Sequence, residues 1–182
     1  MWSFNVTPIQ RLLGTLALLT FLASCTVEPL NATSSSRLTS DGTSASVQEV
    51  MKSITVDAVD TRVAQQVRNN LLFELNGGKL EPGGQYRVNL RVSPSTRSLA
   101  IEGDSLSTTS AQATITVSYR LIDNATNKPI SEGVRRAFAS FDQTPQKYAN
   151  ERSARDAQNR AAKEVAQRLR LAIAKALATN DS

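Results

Sequence analysis

Polar and apolar positions change rhythm several times along the chain, and each rhythm predicts an element. Val47, Val50, Met51, Ile54, Val56 and Val59 mark the onset of structure, and residues 53–57 alternate as a short strand does. Val59, Val63, Val67 and Leu71 recur every four residues, with Leu72 and Leu75 extending the stripe, which predicts an amphipathic helix. Asp57 or Asp60 can accept bonds from its first free amides. Asn76, Gly77 and Gly78 end it, since glycine enters the left-handed conformation cheaply. Glu81, Pro82, Gly83 and Gly84 follow as a turn cluster.

The period then falls to two. Tyr86, Val88, Leu90 and Val92 share one face of a strand, with Arg87, Asn89 and Arg91 on the other. Pro94 is expected to end regular pairing or mark a bulge, and Gly103 and Asp104 to turn the chain. Ala111, Ala113, Ile115, Val117, Tyr119 and Leu121, interleaved with polar residues, give the clearest strand. After a turn over residues 123–129, residues 130–141 form a third hairpin-connected strand, its facing blurred by the adjacent Arg135 and Arg136. Thr144 as cap and Pro145 at the first helical position suit the start of a final helix. Its apolar face runs through Ala157, Ala161, Val165, Leu169, Ile173 and Leu177, with small residues first, which allows close approach to a sheet. The order β-α-β-β-β-α predicts an α+β domain over residues 47–182, a four-stranded, mainly antiparallel sheet with two helices packed on one face.

The first 46 residues read differently. Arg11, an apolar run over residues 12–23 and the small residues Ala23 and Ser24 have the parts of a secretory signal. The run is too short to span ~30 Å of hydrocarbon, so residues 1–24 are expected to be removed. Leu22-Ala23-Ser24-Cys25 resembles the bacterial lipobox, which implies a lipid on the Cys25 thiol. Thr26, in place of the aspartate that tends to retain such proteins at the inner membrane, favours the outer membrane. Residues 25–46, rich in serine and threonine without apolar periodicity, should be a flexible tether with an r.m.s. span on the order of 25 Å.

Composition narrows the chemistry. Cys25 is the only cysteine, and lipidation leaves no thiol for a disulfide, a nucleophile or a zinc site. With no histidine either, a metal centre or a histidine-dependent triad is excluded as the expected chemistry, and no cofactor is implied. The chain carries 21 Lys and Arg against 16 Asp and Glu, a formal charge of +5. That excess suits an anionic partner, and export outside the cytoplasm argues against nucleic acid.

Taken in order, the lipobox, Val67-Arg68-Asn69-Asn70-Leu71, the strand over residues 114–121 and Pro129-Ile130-Ser131 resemble the lipopolysaccharide-assembly lipoprotein family LptE, also called RlpB. Residues 138–142, Pro145 and the string over residues 155–162 complete the likeness, which covers most of residues 25–178. The resemblance implies a non-catalytic lipoprotein. Its partners would be the outer-membrane β-barrel LptD, which it plugs and helps to fold, and lipopolysaccharide in transit. Under that implication, basic residues on strand faces and ends become candidate contacts for lipopolysaccharide phosphates: Arg87, Arg91, Arg97, Arg120, Arg135 and Arg136. By chain order, the family's known basic contacts fall near Asp104 and near Glu151 and Arg152, so only Arg152 joins the set from that comparison.

Two rival readings stay open at this stage. One is an auxiliary lipoprotein of an ABC-type lipid-transport system, a group with a similar lipobox, strand-rich middle and alanine-rich final helix. The other is a cell-wall glycoside hydrolase using Glu102 and Asp104, although no aromatic cluster accompanies that pair and a turn explains it better.

Overall fold

The computed structural model describes residues 47–78, 84–102 and 107–180. The lipidation candidate Cys25, the signal, the tether and the turns expected at residues 81–83 and 103–104 lie outside the described residues.

Structure opens with a short helix, α1 (Val47–Lys52), in the stretch where the sequence marks only the onset of structure. Val47, Val50 and Met51 have helical spacing, and Met51 is buried. The strand that follows, β1, is confined to Thr55–Val56. Helix α2 (Arg62–Asn76) starts later than expected, and its N-cap is Thr61 rather than Asp57 or Asp60, with the hydroxyl accepting from the Ala64 amide at 3.3 Å. Val59 precedes this helix and packs against the core from the linker. At the other end Gly77 has φ 71° and its amide bonds back to Leu72 and Phe73, as a left-handed cap requires.

Three long strands follow: β2 (Tyr86–Glu102), β3 (Ser107–Asp123) and β4 (Pro129–Asp142). The sheet order is β1-β2-β3-β4; β1 runs parallel to β2 and the other pairs are antiparallel. Gly84 lets β1 approach, because a Cβ there would lie 1.5 Å from the Ser53 carbonyl oxygen. Arg68 of α2 then pins β1, donating through Nε to the carbonyls of Val56 and Asp57 at 3.1 and 3.0 Å.

Pro94 neither ends β2 nor makes a bulge; it pairs in register with Ile115, and the register shifts only at residues 98–101. The reason lies in which side each amide faces. The Val88 carbonyl accepts from Asp57 on the β1 side, so even-numbered residues of β2 turn their amides away from β3. The proline's missing N–H therefore falls on an open edge.

The final helix, α3 (Lys147–Asn180), starts two residues beyond Pro145. Thr144 and Asn150 tie down the entry: Asn150 Oδ1 accepts from the Thr144 amide at 2.8 Å, and its Nδ2 donates to the Thr144 carbonyl at 2.7 Å. Both α2 and α3 cover one face of the sheet and pack against each other. The core between the layers holds Val67, Leu71, Ile115, Leu121, Leu169 and Ile173, all fully buried. Each such side chain contributes ~1.5–3 kcal/mol by leaving water. Beneath α3 the neighbours are small, with Ala157, Ala161 and Ala162 over Ala111, Ala113 and Ala137, which brings helix and sheet close.

Strand β4 forms the far edge of the sheet, and three of its outward carbonyls accept from arginines. Arg135 Nη1 donates to Val134, Arg168 of α3 to Arg136, and Arg160 of α3 to Ser140 at 3.0 Å. Arg160 and Arg168 are themselves held by Asp156 and Glu164, one helical turn earlier.

Candidate functional site

Because both helices occupy one face, the opposite face of the sheet is left without a covering layer among the described residues. Period-two alternation decides what it displays. Arg87, Asn89, Arg91, Ser93, Ser95 and Arg97 project from β2; Gln112, Thr114, Thr116, Ser118 and Arg120 from β3; Glu132, Val134, Arg136 and Phe138 from β4. Registers align these as rows across the strands, among them Arg91–Ser118–Val134, Ser93–Thr116–Arg136 and Ser95–Thr114–Phe138.

Structure thus brings Arg87, Arg91, Arg97, Arg120 and Arg136 together on one face. Arg135 is separated from them. It follows the alternation that its pairing with Arg136 seemed to break, and points to the helix side, where its guanidinium lies 5.6 Å from the Tyr119 ring centroid. Arg152 is elsewhere again, on α3, beside an open depression of about 580 Å³ lined by Ser140, Asp142, Thr144, Asp156 and Arg160.

The arginines of the open face differ in how far their charge is already engaged. Arg120 pairs with Glu132 at 3.1 Å. Half-buried Arg87 donates to Asn124 and Asn127 at 3.2 and 2.6 Å, and Arg136 donates to Thr116 at 3.2 Å. Arg91, Arg97 and Arg152 have no hydrogen-bond or ion-pair partner among the described residues. Next to Arg91 the short side chain of Ser118 leaves a shallow depression of about 430 Å³, bordered by Asn89, Arg120, Glu132 and Val134.

Sequence reasoning picked out the cations but missed the apolar members of this face. Val134 and Phe138 are 54% and 55% exposed. The signal for them was the parity of β4: Ala137, Ala139 and Phe141 are buried, so even-numbered residues must face outward.

Of the carboxylate pair in the hydrolase reading, Glu102 ends β2 and Asp104 lies outside the described residues. Among the described residues no cluster of His, Cys, Asp or Glu could hold a metal, and no helix is long and apolar enough to cross a membrane.

Comparison with known proteins agrees with this architecture. The family model LptE, described as lipopolysaccharide-assembly, matches residues 51–173. A lipoprotein from Caulobacter crescentus CB15 superposes with a TM-score of 0.60 at 22% identity, covering 73% of this chain and 96% of its own. Rare lipoprotein B from Shewanella oneidensis gives a TM-score of 0.55 at 12% identity, with 71% and 97% covered. Lipoprotein B from Nitrosomonas europaea gives 0.53 at 10%, with 69% and 84% covered. At such identities these structures speak for the fold. No curated protein matches significantly.

Proposed function

The chain belongs to the LptE lipopolysaccharide-assembly family, and from that premise we propose that it is a non-catalytic outer-membrane lipoprotein, anchored through Cys25. It assembles with an LptD-type β-barrel, supports folding of that barrel and plugs it, and takes part in carrying lipopolysaccharide to the cell surface. Its domain faces the periplasm and the barrel lumen. The observation that carries this reading, beyond the family itself, is the uncovered sheet face. A rigid α/β layer with one face free, basic and rich in hydroxyls suits a molecule that meets phosphorylated saccharide. The candidate contacts stay those named from the sequence, with Arg87, Arg91, Arg97, Arg120 and Arg136 on that face and Arg135 and Arg152 outside it.

Crosslinking in intact cells tests the assignment. Capture of a large outer-membrane barrel protein by residues of this domain is the expected result. Capture of a substrate-binding protein or an inner-membrane permease instead would overturn it in favour of an ABC-type auxiliary lipoprotein.

A further inference from the structure

Strand β2 outruns its neighbour. β1 pairs only with Arg87 and Val88, and beyond it the chain leaves the sheet for α2. β2 continues in register with β3 as far as Ser98. Its even-numbered residues turn their amides and carbonyls away from β3. Val92, Thr96 and Ser98 therefore each offer a donor and an acceptor, and Pro94 an acceptor, along an edge that no described residue pairs. That edge spans ~23 Å. Cover also fails there on the helix side: Pro94, Thr96 and Ser98 are exposed, although their ladder partners Ile115, Ala113 and Ala111 are fully buried.

Elsewhere the sheet's edges are guarded. Arg68 donates to the outward carbonyl of Val56 on β1, and Arg160 and Arg168 to those of Ser140 and Arg136 on β4. Charged side chains at an edge deter a further strand. Among the described residues no arginine donates to a carbonyl between Val92 and Ser98. Arg91 and Arg97 instead project from β2 on the open face, exposed and without a hydrogen-bond or ion-pair partner among the described residues. The carboxylates flanking Arg91 on that face are already engaged, Asp57 by Asn89 at 3.2 Å and Glu132 by Arg120 at 3.1 Å. The row through Arg97 continues with the neutral Gln112 and Ser140.

We propose that the free edge of β2 takes up an acidic, extended segment of another polypeptide as a fifth strand, in the line that β1 vacates. Backbone bonds to Val92, Thr96 and Ser98 hold it, and carboxylates on one of its faces pair with Arg91 and Arg97. This surface takes protein rather than saccharide, and phosphate would compete for the same two arginines. A second copy of the chain fits worse. Antiparallel pairing of two β2 edges about Pro94 sets Arg91 of one copy opposite Arg97 of the other, and two donors are missing instead of one.

The test titrates the mature chain, by fluorescence anisotropy, with a labelled peptide of alternating threonine and valine in which two threonines, spaced as Arg91 and Arg97 are, are replaced by glutamate. Two further peptides carry lysine in place of the glutamates, or N-methyl groups on the amides that would face β2. The glutamate peptide should bind, and the N-methylated one at least tenfold more weakly. Thr96→Pro removes an edge donor while sparing the ladder to β3, and should weaken binding by roughly tenfold or more. Arg91→Glu/Arg97→Glu should reverse the preference in favour of the lysine peptide, and Lys163→Glu on the helix layer should change nothing. Hydrogen exchange should show the Val92, Thr96 and Ser98 amides unprotected in the chain alone and protected by the peptide. No binding of the glutamate peptide, equal binding of the N-methylated one, or undiminished binding by Thr96→Pro overturns strand addition. Equal binding of the lysine peptide by the parent chain overturns the acidic assignment. Protection of those amides without peptide overturns the choice of occupant, assigning the edge to the chain's own residues or, where protection rises with protein concentration, to a second copy. Circular dichroism confirms that each variant is folded.

Discussion

Arg135 stands over the ring of Tyr119, its guanidinium carbon 5.6 Å from the centroid, at the end of the sheet's helix-covered face. Gly133, opposite Tyr119 in the ladder, makes this possible, because a Cβ there would come within 3.3 Å of the ring. The contact joins a cation to a buried aromatic, and such contacts at partly exposed sites are worth ~0.5–1 kcal/mol. Arg135→Gln should therefore lower stability by about that amount in chemical denaturation, while Arg135→Lys, which keeps the charge, should lose less. Lipopolysaccharide binding should be unaffected by either, since the side chain is on the face away from Arg91.

Core and surface leucines of α3 lie two residues apart and should behave very differently. Leu169 is fully buried, whereas Leu171 is 51% exposed. Leu169→Ala should cost ~2–5 kcal/mol, through lost burial and the cavity left behind. Leu171→Ala should stay within about 0.5 kcal/mol. Denaturant midpoints of the two variants check the pair.

A backbone contact sets the third expectation. At Gly84 the atom that a side chain would strike is the Ser53 carbonyl oxygen, which no rotamer change can move. Gly84→Ala should push β1 from β2 and cost about 1–3 kcal/mol or more. Hydrogen exchange should show the Asp57 amide, bonded to Val88 at 3.0 Å, losing protection before amides in the β3–β4 ladder do.

How much of this could be read from the chain depended on whether neighbours in sequence were enough. Strand β3 was legible because Ala111 to Leu121 alternate against two unlike environments, a helix layer and solvent. The stripe of α3 was legible for the same reason. Helix α1 was missed because six residues are too few for a period of 3.6 to be told from a strand's approach. Pro94 was misjudged because its consequence depends on which side of β2 is unpaired, and that is settled by the two-residue strand β1, some forty positions earlier. For the candidate site, parity placed the arginines of β2 on a common face. Which of them are already engaged was beyond local reading: Arg120 meets Glu132, and Arg87 meets Asn127, only through hairpin register.

The arginines that occupy the β4 edge lead to a fourth prediction. An unpaired strand edge is a template for another chain, and charged side chains are one means of blunting it. In Arg160→Ala/Arg168→Ala the carbonyls of Ser140 and Arg136 lose their donors. Sedimentation velocity should then show concentration-dependent self-association that the parent lacks. Loss of the two exposed ion pairs to Asp156 and Glu164 should itself cost only ~0.3–0.5 kcal/mol each. A double variant that stays monomeric would show that the edge is protected by other means.

Helix α3 is the last described element in chain order, and at 34 residues it is about 51 Å long. It also provides the cover for β3 and β4, through Ala161, Val165, Leu169 and Ile173. A ribosome therefore releases an exposed apolar sheet surface before it releases what shields that surface. For as long as that interval lasts the nascent domain is a client for any chaperone that recognises bare β-structure, and truncation before Ala161 would make the interval permanent.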